Sequence, residues 1–173
     1  RPTPGSEDSV QIEAMLDNAS ELTVTIPRGD CFLTKVPQRP LILIAASTGV
    51  TQMKSILEFV LHQGIQHPVA LYWGVVADSD LYMNDLCESW AVHDLVTYVP
   101  VVSDPDTSPS WTGRTGLVGE AALTDFRDLS DISVVVGGGP AMVYATLDRF
   151  VEQGMAEANM QSDIFSYAPR PTA

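Results

Sequence analysis

The spacing of apolar residues changes near residue 40. Before it they alternate with polar neighbours, at Val10, Ile12 and Ala14 and again at Leu22, Val24 and Ile26. A period of two predicts half-buried strands. From Leu41 onward, short continuous apolar runs are each followed by residues at helical spacing. The run at 41–45 is that expected of a strand covered on both faces, and 69–73, 95–102 and 132–136 read as the next three strands. Met53, Ile56, Leu57, Val60 and Leu61 share one helical face that stops at Gly64; Val143, Leu147, Phe150 and Val151 share another that stops at Gly154. Residues 80–92 read as a further helix and 164–167 as a last short strand. Residues 1–9 form a polar lead-in, 27–30 a turn, 37–40 a linker, and 103–110 a loop rich in Ser, Asp and Pro. Strands alternating with helices imply an α/β domain with a mostly parallel sheet, right-handed crossovers and helices on both faces.

Two of the strand-to-helix junctions carry glycine. The first is Ala46-Ser47-Thr48-Gly49-Val50-Thr51, the second Gly137-Gly138-Gly139-Pro140-Ala141-Met142. At such a junction backbone N–H groups are unpaired and the helix dipole favours negative charge, which suits an anionic nucleotide. In the first, small residues let a pyrophosphate approach and the Ser47, Thr48 and Thr51 hydroxyls can add hydrogen bonds; a plain turn capped by Thr48 or Thr51 is the alternative. In the second, three glycines suit close approach of a ligand and Pro140 suits the first helical turn, against a merely flexible loop. Arg114, within Trp111-Thr112-Gly113-Arg114-Thr115-Gly116, can meet a phosphate or carboxylate, or equally pair with an acidic side chain.

At 173 residues the chain forms one domain, or one domain with an appendage. A net charge of −13 argues against nucleic acid or an anionic membrane as partner. There is no apolar stretch of membrane-spanning length and no signal-peptide pattern. Cys31 and Cys87 read as two reduced thiols, pointing to the cytoplasm. His62, His67 and His93 lack metal-ligand spacing, so no metal is expected. The dinucleotide fingerprint G-x-G-x-x-G, the G-x-S-x-G elbow and the Walker A sequence are all absent. No acid, base or nucleophile stands out, so the chemistry would belong to a bound cofactor. The first residues, Arg1-Pro2 with no initiator Met, suggest part of a longer chain.

Several segments occur together in a known order: residues 40–49, Lys54-Ser55-Ile56-Leu57, Leu71-Tyr72-Trp73-Gly74, Asp80-Leu81-Tyr82, residues 111–116 and Gly139-Pro140-Ala141-Met142-Val143. In this the chain resembles NAD(P)H-flavin reductases of the ferredoxin–NADP reductase superfamily, over residues 22–170. The resemblance implies a five-stranded, mostly parallel NAD(P)H-binding domain at 40–173. Residues 1–39 would be a short β remnant of a flavin-binding barrel and a linker. Hydride would pass from nicotinamide to flavin N5. Thr48 and Gly49 would belong to the nicotinamide and pyrophosphate loop, Gly138, Gly139 and Pro140 to the loop seating the nicotinamide, and Phe165 and Tyr167 to an aromatic region near the flavin. Residues 46–51, 111–115 and 137–142 would be the binding loops, which adds Ala46, Ser47, Thr51, Arg114 and Met142.

The departures from the family carry their own expectations. The family usually has two glycines where this chain has Ala46 and Ser47. Val75 and Val76 stand where an arginine for the ribose 2′-phosphate is common, which favours NADH over NADPH. FAD or FMN would come from sequence outside this chain or from a partner, with a protein partner covering the truncated side. Two other readings compete: a degenerate, non-catalytic interaction module, and a general nucleotide sensor.

Overall fold

A computed structural model describes residues 7–25 and 29–170. Its centre is a six-stranded parallel sheet in the order β4-β3-β2-β1-β5-β6. The strands are β1 (Leu41–Ala46), β2 (Val69–Val75), β3 (Val96–Val102), β4 (Arg114–Thr115), β5 (Ser133–Gly137) and β6 (Met160–Gln161). β1 lies in the middle, pairing Leu41 with Val69 of β2 on one side and with Ser133 of β5 on the other. Leu41 to Ala45 are all buried, as a strand covered on both faces requires.

The helices form a layer on each face. α2 (Val50–Gln63) and α3 (Asn84–Trp90) cover one side, burying Met53, Leu57, Val60 and Trp90 against Leu41, Leu43, Leu71 and Trp73. α4 (Val118–Asp125) and α5 (Pro140–Glu152) cover the other, where Val143, Leu147 and Phe150 meet Ile42, Ile44, Val134 and Val136. Successive strand residues therefore feed opposite cores, and each fully buried Leu, Ile or Phe contributes about 1.5–3 kcal/mol. Gly64 (φ 88°) and Gly154 (φ 94°) follow α2 and α5 in the left-handed backbone common after helices.

Several expected elements come out differently. Residues 10–14 lie in helix α1 (Glu7–Asn18), not in a strand, which also replaces the end of the polar lead-in. Ile12, Met15 and Leu16 satisfy helical spacing as well as Ile12 and Ala14 satisfy alternation. Glu7 and Asp8 suit the positive end of the helix dipole. No residue of α1 is buried, so no sheet was available to select the strand. Leu22 and Val24 carry no regular structure; Ile26, Arg28 and Arg1-Pro2 lie outside the described residues. No strand occurs among the described residues before Leu41.

Residues 164–167 form a short helix, α6 (Ile164–Tyr167). The sheet edge is taken instead by Met160 and Gln161, which pair with Val134 and Val135. With the two-residue β4 inside the expected 111–116 loop, the sheet has six strands rather than five. The helix expected at 80–92 is shortened to α3, preceded by a 3-10 turn at Asp78–Asp80.

Candidate functional site

β1 and β5 are neighbours, yet the chain leaves them in opposite directions, through α2 onto one face and α5 onto the other. In an open α/β sheet that divergence leaves a crevice beyond the carboxyl ends of the strands. Here the two glycine turns also touch. A Cβ placed on Gly49 would stand 2.4 Å from the Gly137 carbonyl oxygen, and one on Gly138 would be 3.1 Å from the Ala46 Cβ. The glycines are thus what lets the two backbones pack against each other.

The first turn is a 3-10 segment, Ser47–Gly49, running into α2. Ser47 has φ 51°, a left-handed conformation that favours glycine. Its carbonyl accepts the indole N–H of buried Trp73 at 2.8 Å. The Thr51 hydroxyl donates to the Thr48 carbonyl at 2.9 Å, which fixes the start of α2. In the second turn Gly139 caps α5 and Pro140 occupies its first turn. The first N–H groups of a helix, here including Ala141 and Met142, have no acceptor within it.

A crevice of about 400 Å³ opens between these turns, the end of β2 and the starts of α4 and α5. Ala46, Ser47 and Met142 line it, as do Val75 and Val76 at the end of β2. Leu117 and Val118 supply further apolar wall. Arg149 is the one basic side chain on the lining, and it is held between Glu120 (3.0 Å) and Glu152 (2.8 Å).

The α4 wall is anchored from behind. Asp125 takes two hydrogen bonds from Arg114, at 2.7 and 2.8 Å, and one from the Tyr72 hydroxyl at 2.8 Å. Burial works against the Asp125 carboxylate, but the bonds from Arg114 and Tyr72 outweigh it and hold its pKa below the ordinary range. Burial, together with the Asp125 carboxylate, drives the Tyr72 hydroxyl the other way, far above its usual value. Both thiols are free, and burial pushes each up to about 11, so they remain protonated at neutral pH. Among the described residues, no group of three or more His, Cys, Asp or Glu could hold a metal ion.

Of the residues singled out from sequence, Ala46, Ser47 and Met142 face the crevice. Thr48, Gly49, Thr51, Gly138, Gly139 and Pro140 build the two turns beside it. Arg114 is engaged by Asp125, the ion-pair alternative for that side chain. Phe165 packs on Tyr144 with ring centroids 5.7 Å apart, and Tyr167 is 68% exposed; neither lines the crevice. Sequence reasoning passed over Glu120, Thr146 and Arg149. Met142, Thr146 and Arg149 recur at i, i+4 and i+7, a second face of α5 beside its core face, and that spacing was a usable signal.

Residues 43–148 match the family described as the oxidoreductase NAD-binding domain. The chain is 37% identical over 145 residues to CDP-6-deoxy-L-threo-D-glycero-4-hexulose-3-dehydrase reductase of Yersinia pestis, covering 83% of this chain and 43% of the relative. It is 32% identical over 158 residues to the NAD(P)H-flavin reductase of Aliivibrio fischeri, covering 90% and 66%. Among solved structures, a cytochrome P450 reductase from Amycolatopsis superposes with a TM-score of 0.80 at 27% identity, covering 94% of this chain and 50% of that one. The chain spans about two fifths to two thirds of the length of these curated relatives. With the matched segment running from the middle of β1 into α5 and so enclosing both glycine turns, the chain belongs to the oxidoreductase NAD-binding domain family.

Proposed function

We propose that this chain is the NADH-binding unit of a flavin reductase-type oxidoreductase. The observation that carries the reading is the packing of the Ser47–Gly49 turn on the Gly137–Pro140 turn at the head of a crevice of nucleotide-site size. The residues present fit a dinucleotide. Beyond Gly139 and its two chain neighbours, no atom lies within 4 Å of where a Gly139 Cβ would be, so the backbone there is open to a ligand. The starts of α2 and α5 supply N–H groups and dipoles for a pyrophosphate. The apolar wall of Val75, Val76, Leu117 and Val118 suits the faces of flat rings. Bound NADH supplies a hydride, which a flavin accepts. This chain's own residues bind the dinucleotide, fix its orientation and shield it from water.

Two observations support NADH over NADPH. Val75 and Val76 offer no donor at the end of β2, and Arg149 is already shared by two carboxylates. A 2′-phosphate would thus meet no unengaged cation on the crevice lining. The flavin would be held by sequence outside this chain or by a partner, since the part of the chain that precedes β1 forms no strand among its described residues. On this reading residues 1–39 are a remnant of the flavin-binding unit and a linker, whose described part holds helix α1 and no strand. The two cysteines, both free of any disulfide, support a cytoplasmic setting. No helix among the described residues is long and apolar enough to cross a membrane.

A second reading, an interaction module without cofactor, is favoured by the apolar residues that α1 exposes: Val10, Ile12, Met15 and Leu16, each at least half exposed. Calorimetric titration with NADH, NADPH and ADP, repeated with FAD present, decides between them. The expected result is micromolar NADH binding, weaker for NADPH. No heat from folded protein with any of the three would overturn the NADH reading in favour of the module.

A further inference from the structure

Among the described residues, Ser47 is the only non-glycine residue with positive φ, at 51°. An L-residue does not rest there unless its surroundings hold it. The hold is visible. Trp73 is fully buried in the core between the sheet and α2, and its ring meets Tyr82 edge-on at a centroid distance of 5.3 Å. A buried indole N–H needs an acceptor, and the one it has is the Ser47 carbonyl, 2.8 Å away. Ser47 itself lines the crevice. A single hydrogen bond therefore joins the packing of β2 to the shape of the turn that would face the dinucleotide.

The direction of that peptide matters. A carbonyl bonded to a core indole is turned away from an anion in the crevice. If the peptide flipped, the oxygen could face the pyrophosphate and repel it. We infer that Trp73 is a positioning residue for the dinucleotide: its indole N–H holds Ser47 in a glycine-like backbone conformation and keeps the Ser47 carbonyl out of the crevice. The inference rests on the NADH reading above. It also accounts for how a serine stands where glycine is usual in the flavin reductases this chain resembles.

The test uses the intact chain in four forms: unmodified, Trp73→Phe, Ser47→Gly and the double variant, each titrated with NADH and with ADP. Loss of one buried hydrogen bond should weaken binding of both ligands about five- to tenfold in Trp73→Phe. Ser47→Gly removes a crevice-lining side chain and sets its own reference affinity, against which the double variant is read. Because glycine enters this conformation freely, adding Trp73→Phe to Ser47→Gly should weaken binding by no more than about twofold, a recovery of most of the loss. A purely structural tryptophan would lower the melting temperature and leave the dissociation constants alone. Undiminished binding in Trp73→Phe, or no recovery in the double variant, overturns the inference. If Trp73→Phe does not fold, the indole N–H resonance of Trp73 in the unmodified protein decides: it should move on saturation with ADP, and its remaining fixed overturns the inference. Absence of binding by the unmodified chain overturns the NADH reading and this inference together. That result differs from failure of the lock alone, in which the unmodified chain binds and Trp73→Phe binds equally well.

Discussion

The two turns that head the crevice solve the same backbone problem by different means. At the end of β5 three glycines in a row leave the chain free of side chains, and Gly139 reaches α5 with φ −70° and ψ 154°, a conformation open to any residue. At the end of β1 the chain keeps a side chain on Ser47 in a left-handed conformation and holds it with an indole hydrogen bond. One turn is open through composition, the other through a tertiary contact. A glycine count therefore misjudges them: the Gly137–Gly139 run is not strained at Gly139, and the glycine-poor turn contains the backbone that most needs glycine.

Substitutions can break this contrast. The largest effect is expected at Gly49, where a Cβ would stand 2.4 Å from the Gly137 carbonyl oxygen, a backbone atom that cannot step aside. Gly49→Val should cost about 3 kcal/mol or more in denaturant unfolding, because it forces the two turns apart. A smaller effect of opposite sign is expected at Ser47. Ser47→Gly relieves the left-handed strain at some cost in chain entropy and should raise stability by about 0.5 kcal/mol, read as a small rise in melting temperature. The smallest effect on stability is expected at Gly139, whose dihedrals suit alanine and whose Cβ position is open. Gly139→Ala should stay within about 0.5 kcal/mol of the parent. It should nonetheless weaken NADH binding, because the added methyl enters the space left for a ligand. A melting temperature that fell sharply would show that this turn is packed rather than open.

How much of this was legible in the sequence followed from how deeply each segment is buried. β1, β2 and β5 are read easily, because a strand covered on both faces is apolar almost throughout, whereas β3, with Thr97 exposed, is legible from its run of valines. α2 and α5 announce themselves through one apolar face and a terminal glycine. The α1 segment was misread because five residues of alternation fit either element, and none of its residues is buried against a core that could arbitrate. Residues 164–167 failed for a related reason: Ile164 is buried by α6 packing, while the edge pairing was already taken by Met160 and Gln161. The glycine turns were visible as candidates, since few roles require such residues between a strand and a helix. Glu120 and Arg149 were not, because they become neighbours only when α4 is laid beside α5, 29 residues apart in sequence. Likewise, which acid engages Arg114 depended on where α4 ends, at Asp125.

The central position of β1 has a consequence for how the site is made. Leu41 can complete its pairing only when Ser133 has arrived, so the middle of the sheet waits for a segment near the far end of the chain. Such non-local pairing slows folding, and during synthesis β1, β2 and β3 must stand for a time with one edge of β1 unpaired. The crevice inherits that order of events. Its two turns meet only once β5 is seated, so the crevice is completed late and is absent from any chain cut before β5.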